Sequence, residues 1–301
     1  MRITNRTMSN NLLLNLNRGM TRLDRINNQL GSKKKVNLPS DDPVKAGSIL
    51  RTSSSIRETD QYIRNIGSAT SWLDASDTVL KDVIAVIHRA KDLAVSGASS
   101  HLDQTARQAL ADEVAQLHDN LLQLANSTHG GRYLFAGQHT QTKPFEGGEV
   151  VDGKITPVSY LAGKTPTEKM VEFEIGVNVR MEVSLDGDEV FSPIFETLRN
   201  LHGELIQESP TEGSTILSDL DNALDNVLRQ VSELGGKQNR VELAQERLLD
   251  LKLNLTKILS DEQDLDYAEA IMELKMEEFA YRTALSVGAR IIQPSLVDFL
   301  R

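Results

Sequence analysis

Apolar side chains recur in steps of three and four near both ends of the chain. Leu12, Leu16, Leu23, Ile26 and Leu30 form one stripe, and Ile271, Leu274, Tyr281, Leu285, Ile292 and Phe299 form another. This spacing aligns one face of a helix and buries it against a second helix. The two stripes therefore predict terminal helices that pair as a coiled coil. The chain folds back on itself, and the segment between them is an insertion carried on a helical stem.

The first helix is expected from about residue 5 to Leu30, ending near Gly31-Ser32. Ser40-Asp41-Asp42-Pro43 then starts a second one. Its carboxylates accept orphan amide protons, and the proline has no amide proton to leave unsatisfied. Helix over about 43–96 would span on the order of 80 Å at about 1.5 Å per residue, a rod rather than a globule. Gly97-Ala98-Ser99-Ser100 breaks it. The next helix covers about 103–128, on the repeat Leu110, Val114, Leu117, Leu121 and Leu124. Gly130-Gly131 ends that helix, and Arg132-Tyr133-Leu134-Phe135 reads as a short strand.

From about 138 to 192 the periodicity falls to two, as in Met170, Glu172, Phe173, Glu174 and Ile175 and later Val179, Met181, Val183 and Leu185. Alternation of this kind predicts strands, and Asp186-Gly187 reads as a turn pair. Helix resumes near Pro193 through Phe195, Leu198, Leu201 and Leu205. After the loop Ser209-Pro210-Thr211-Glu212-Gly213, a last long helix starts near Ser214. Its Gly235-Gly236 pair costs roughly 1 kcal/mol per glycine relative to alanine, so a kink or local break is expected there. The fold class is mainly α, with an elongated rod, paired terminal helices, a helical bundle and a small inserted β domain. The expected domains are 1–42 with 263–301, 43–137 with 193–262, and 138–192.

Charge sharpens the pairing of the ends. Residues 1–40 carry eight basic groups against Asp24, a formal +7, and residues 261–301 carry nine acids against four bases, a formal −5. Over all 301 residues the net charge is −10, which argues against nucleic acid as a partner. An aromatic content of 4% favours thin helical packing over a thick enzyme-like core. There is no cysteine, which excludes disulfides and thiol chemistry. No stretch approaches the roughly 18 apolar residues of a membrane span, and Leu12-Leu13-Leu14 is too short for the core of a secretory signal.

Several motifs suggest chemistry that their surroundings do not support. Gly163-Lys164-Thr165 resembles the end of a phosphate-binding loop, but Val158 stands where the motif needs its first glycine. Asp186-Gly187-Asp188-Glu189 lacks the oxygen ladder of a calcium loop and reads as an exposed hairpin turn. The histidines at 88, 101, 118, 129, 139 and 202 never fall three or four apart, so they read as helix-surface or solvated residues. Lys33-Lys34-Lys35 reads as a solvated connector, and Asn126-Ser127-Thr128 as part of a helix. No metal, no cofactor and no catalytic residues are expected.

The terminal stripes differ from the seams of 103–128 and 214–260, which read as ordinary bundle core. Each fully buried Leu or Ile contributes roughly 1.5–3 kcal/mol, against about 0–1 for an exposed ion pair. Apolar contact therefore drives pairing, and charge selects the partner. A lone pair of helices leaves Leu13, Leu14, Met272, Met276, Phe279, Val287, Ile291 and Leu296 exposed. Such surface marks an assembly face, so the ends read as surfaces buried only when copies meet.

Arg2-Ile3-Thr4-Asn5, Leu38-Pro39-Ser40-Asp41-Asp42-Pro43, Ala90-Lys91-Asp92-Leu93-Ala94, Leu234-Gly235-Gly236-Lys237-Gln238-Asn239-Arg240 and Pro294-Ser295-Leu296-Val297-Asp298-Phe299-Leu300-Arg301 resemble the flagellin family. The resemblance covers about residues 1–137 and 195–301. Pro43 after Asp41-Asp42, and Gly131-Arg132-Tyr133-Leu134-Phe135-Ala136-Gly137 followed by Lys143-Pro144-Phe145, are similar to the hook-associated branch of that family.

The resemblance implies an extracellular, non-enzymatic subunit of the bacterial flagellum, exported through the flagellar type III apparatus without a cleaved signal. It implies an inner coiled coil of terminal helices, an outward-facing insertion, and a place between the hook side and the filament. The implied partners are further copies of the chain, a neighbouring hook-associated protein, flagellin and an export chaperone holding the C-terminal segment. A short flagellin that forms filament itself, and a secreted helical binding protein, are the alternative readings.

Overall fold

Asp42 sets the start of the longest helix. Its Oδ1 accepts the amides of Val44 and Lys45 at 3.1 and 3.0 Å, while Asp41 Oδ2 accepts those of Asn37 and Leu38 at 3.3 and 3.0 Å. In the computed structural model these two carboxylates close the loop ahead of Pro43, as the sequence predicts. The structure describes residues 5–98, 103–151, 153–162, 170–207 and 213–299, with the backbone alone at 5, 6, 213, 214 and 291–299.

Among the described residues the helices are α1 (Asn5–Ser32), α2 (Pro43–Gly97), α3 (Gln104–Ala125), α4 (Gly187–Ile206), α5 (Gly213–Gln263) and α6 (Tyr267–Phe299). Between α3 and α4 the described residues form the short strands β1 (Thr128–His129), β2 (Arg132–Tyr133), β3 (Phe145–Gly147), β4 (Val150–Val151), β5 (Lys154–Ile155), β6 (Val158–Tyr160), β7 (Glu172–Gly176) and β8 (Val179–Glu182). They form four two-stranded antiparallel sheets, β1-β2, β3-β6, β4-β5 and β7-β8, the last with an irregularity between Glu174 and Gly176. The protein is thus mainly α with a small inserted β region. No helix among the described residues is long and apolar enough to cross a membrane.

The chain divides into two compact units, Met1–Glu58 with Asp250–Arg301, and Thr59–Leu249. In the second unit α2 buries Ile66, Ala69, Leu73, Leu80, Val83, Ile87 and Ala90, a three-four repeat. It runs antiparallel to α5, which buries Leu220, Ala223, Val227, Leu234 and Val241. Lys91 Nζ to Asp221 Oδ1 at 2.6 Å and Gln238 Nε2 to Asp74 Oδ1 at 3.0 Å fix that register. Both α3 and α4 add to the same core.

The strands share that core. Phe145 of β3 stacks against Phe191 and Phe195 of α4, with ring centroids 5.7 and 5.6 Å apart, and Phe135 lies 4.8 Å from Phe191. Asn126, read from sequence as helical, is the C-cap of α3. Its amide clasps β3, donating to Phe145 O at 3.2 Å and accepting Phe145 N at 3.1 Å.

Three sequence expectations need correction in this unit. Asp186-Gly187 is not a hairpin turn: Asp186 caps α4 by accepting the Asp188 amide, and Gly187 approaches Phe135 O so closely that a Cβ would sit 2.5 Å from it. Helix α4 therefore begins six residues before Pro193, which lies inside it. Gly235-Gly236 does not break α5, because Leu234 and Val241 on either side are buried and hold the helix to its neighbours. The histidine reading also fails in part, since His118 and His202 are buried in the α3–α4 interface. The Gly163-Lys164-Thr165 motif, His101 and the loop Ser209-Pro210-Thr211-Glu212 lie outside the described residues.

Candidate assembly interface

In the first unit α1 and α6 pack against each other along their lengths. Among the protected positions, Leu12, Leu16, Gly19, Leu23, Ile26 and Leu30 of α1 and Ala270, Leu274, Glu277, Tyr281, Ala284 and Gly288 of α6 form two facing series. Both sets step by four and three, the heptad spacing of a helix pair. Antiparallel register follows from three contacts. Arg22 reaches Glu277 through Nε at 2.6 Å and Nη2 at 3.2 Å. A Cβ placed on Gly19 would lie 3.5 Å from Tyr281 Cδ2, and one on Gly288 would overlap Leu12 Cδ2. Tyr281 and Leu12 are thus large side chains seated over glycines of the opposite helix.

Of the stripe residues predicted from sequence, Ile26 is buried, and Leu12, Leu16, Leu23, Leu30, Leu274 and Tyr281 are half-buried. Ile271 and Leu285 do not lie in this seam; they are 49% and 46% exposed. The side chains of Ile292 and Phe299 lie outside those described, although α6 runs to Phe299. Sequence reading missed Gly19, Ala270, Ala284 and Gly288, because a search for large apolar residues passes over small ones. The signal was present as a repeat of small residues in phase with Leu274 and Tyr281.

Where α1 gives way to α2, and α5 to α6, the two connections are stitched together. Lys35 N donates to Gln263 O at 2.7 Å and Leu265 N to Lys33 O at 3.2 Å, flanking an antiparallel bridge between Lys34 and Asp264. Lys33 takes φ +64°, the left-handed turn that stops α1. The Gln29 side chain reaches over to Lys35 O at 2.8 Å. Asp266 Oδ1 caps α6 through the amides of Ala268 and Glu269. Two helix breaks distant in sequence therefore meet at one level, and the lysine run, read as a solvated connector, forms half of the joint.

The outer faces of this pair are apolar. Leu13, Leu14, Met272, Met276, Phe279 and Val287 are exposed, Phe279 to 74%. Ile291 and Leu296, which share that expectation, fall outside the described side chains. Glu277 beside the Arg22 guanidinium raises its pKa above the ordinary arginine value through the hydrogen bond and charge. Among the described residues no group of His, Asp or Glu is arranged to hold a metal ion. The pair presents apolar surface bordered by charges.

The helical region at the N-terminus of bacterial flagellins matches residues 3–140, and the helical region at their C-terminus matches residues 217–300. The chain is 28% identical to flagellar hook-associated protein 3 of Escherichia coli over 286 residues, covering 85% of this chain and 86% of that one. It is 26% identical to flagellar hook-associated protein 3 of Salmonella typhimurium, covering 94% of this chain and 95% of that one. A putative flagellar hook-associated protein from Vibrio parahaemolyticus shares the fold, with a TM-score of 0.63 at 22% identity, over 74% of this chain and all of that one.

Proposed function

The chain belongs to the bacterial flagellin family, and on that premise we propose that it is the subunit joining the hook side of the flagellum to its flagellin filament. The observation that carries this reading is the α1–α6 pair. The matched flagellin regions contain both helices, and the structure leaves apolar surface on the outside of the pair that a single copy cannot cover. The hook-associated relatives are 28% and 26% identical over 85% and 94% of the chain, while flagellins that span 87–91% of it are 23–25% identical, which favours the junction over the filament itself.

In this reading the protein is a structural element of the flagellum with no catalytic role. Its terminal helices form the assembly domain, through Leu12, Leu16, Leu23, Ile26 and Leu30 on α1 and Ile271, Leu274, Tyr281, Leu285, Ile292 and Phe299 on α6. Part of this set pairs α1 with α6, and Ile271 and Leu285 remain available to neighbours. Those neighbours are further copies of the chain, another hook-associated protein on the hook side and flagellin on the other. A chaperone holds the C-terminal segment before export, which proceeds without a cleaved signal.

The test is a strain lacking the gene. Hooks without filaments, with flagellin shed into the medium and retention restored by the wild-type chain, is the expected result. Retained filaments in that strain would overturn the reading. Long filaments formed by the purified chain alone would favour the short-flagellin alternative instead.

A further inference from the structure

The α1–α6 pair has two unlike flanks. On one, a groove of about 570 Å³ runs between the helices, where Ile26, Ala270 and the exposed Met276 sit among mostly charged side chains, Arg25 on α1 and Glu269 and Glu273 on α6 among them. At roughly 100° per residue, Leu13 and Met20 of α1 and Ile271 and Leu285 of α6 fall on the opposite flank. These four are 57%, 62%, 49% and 46% exposed. Arg282 projects from that same flank, and Glu278 beside it is already engaged by Lys275 at 3.0 Å. Among the described residues Arg282, Glu269 and Glu273 take part in no ion pair.

We propose that the groove is the seat of a second copy of this chain, which inserts its Leu285–Ile271 flank and brings its Arg282 against the Glu269–Glu273 rim. The inference rests on the junction reading and deepens it by stating which edge of one subunit meets which edge of the next. The apolar flank meets Ile26, Ala270 and Met276 in an otherwise charged groove, and the unpaired arginine against the unpaired Glu269 and Glu273 sets the polarity of the contact. Two like flanks meeting would oppose arginine to arginine, or acid to acid. Because the edges differ, the contact is head-to-tail. Each copy keeps one free edge of each kind, so association continues around a ring or along a helix and does not stop at two.

Charge reversal tests the polarity in the full-length chain. Arg282→Glu and Glu273→Arg should each weaken self-association at least tenfold by analytical ultracentrifugation, and the double variant should return to within a few-fold of wild type. Where the purified chain stays monomeric, filament retention in cells gives the same reading, with single variants shedding filament and the double variant holding it. A mixing experiment adds a second check. Leu285→Asp spoils one edge and Ala280→Trp fills the other, so each alone should be monomeric and their mixture should stop at a one-to-one dimer.

Single variants that associate like wild type, a double variant with no recovery, or a mixture that grows beyond dimers would each overturn the proposal. These outcomes are separable from failure of the junction reading. If the wild-type chain restores filaments in the null strain while charge reversal has no effect, only the edge assignment falls. If the wild-type chain does not restore them, the junction reading falls first.

Discussion

Gly288 of α6 faces Leu12 of α1 with no room for one further carbon, since a Cβ there would overlap the leucine Cδ2. The glycine is a socket for the leucine, and Gly19 with Tyr281 repeats the arrangement in the opposite sense. Together they hold the register of the pair, because a slip by one heptad would set large residues against large ones. Gly288→Leu should destabilise the pair by about 1–3 kcal/mol, the cost of forcing extra volume into a filled contact. Limited proteolysis would show faster cleavage within residues 1–42, and Leu12→Ala in the same chain should restore much of the protection. Unchanged proteolysis of Gly288→Leu would show that the contact does not hold the helices.

Gly235 and Gly236 present the opposite case. Both sit inside unbroken α5 with nothing within 4 Å of an added Cβ. Alanine at either should stabilise the helix by about 0.5–1 kcal/mol, because it narrows the unfolded ensemble without creating a clash. The double variant should raise the thermal midpoint measured by circular dichroism. A lower midpoint would mean that these glycines are needed for a contact made only in the assembly.

Leu23 lies half-buried in the α1–α6 seam, one helical turn from buried Ile26. Leu23→Asp places an unpaired carboxylate there, which costs its apolar burial and adds a desolvation penalty of about 1–3 kcal/mol. Filament retention should be lost in cells. Fluorescence of the single tryptophan, Trp72, which is buried in the other unit, should stay as in wild type. Normal motility with this variant would count against the seam as the assembly element.

How legible these features were in the sequence depended on how local their causes are. The bounds of α1 and α2 follow from a stripe and a capping carboxylate, both readable within a few residues, and the structure places them at Asn5–Ser32 and Pro43–Gly97. The phase of α6 was only partly readable. Its seam with α1 is built from Ala270, Glu277, Ala284 and Gly288 as much as from Leu274 and Tyr281, and small or charged residues do not register as a hydrophobic stripe. Tertiary packing decided the remainder. Buried Leu234 and Val241 carry α5 through two glycines, the Asn126 clasp on Phe145 joins residues 19 apart, and the burial of His118 is set by its packing against Phe195 of α4, a neighbour remote in sequence.

Asn126 makes three hydrogen bonds with its side chain, one to Leu122 O at 2.9 Å within α3 and two to the backbone of Phe145. Asn126→Ala would leave a part-buried carbonyl and amide of β3 unpaired, at about 1–3 kcal/mol. The urea midpoint should fall, and hydrogen exchange should quicken most at Phe145 and at its strand partner Tyr160. Loss of stability spread evenly over the chain, with no local rise in exchange, would remove the clasp from the account.

His118 should make stability fall with acid. It is 1% exposed, its Nδ1 has no hydrogen-bond partner among the described residues, and the Phe195 ring lies 5.1 Å away. Burial pushes its pKa down to about 4; Asp119 opposes the shift, while His202 and Arg199 add to it. Burial also lowers His202, against the pull of Asp112. Above pH 6.5 both histidines are neutral in the folded and unfolded chains and contribute no pH dependence. As pH falls below 6.5 the unfolded chain takes up protons that the folded core refuses, so stability drops until the folded pKa is passed. For His118 alone the loss reaches about 2 kcal/mol by pH 5. Carboxylates are still largely ionised at that pH, so the window from 6.5 to 5 isolates the histidines. Urea unfolding across this window should show a steep decline for the wild type and a shallower one for His118→Phe, which keeps the ring and removes the titration. Equal slopes would mean that His118 is hydrated and protonates freely in the folded protein.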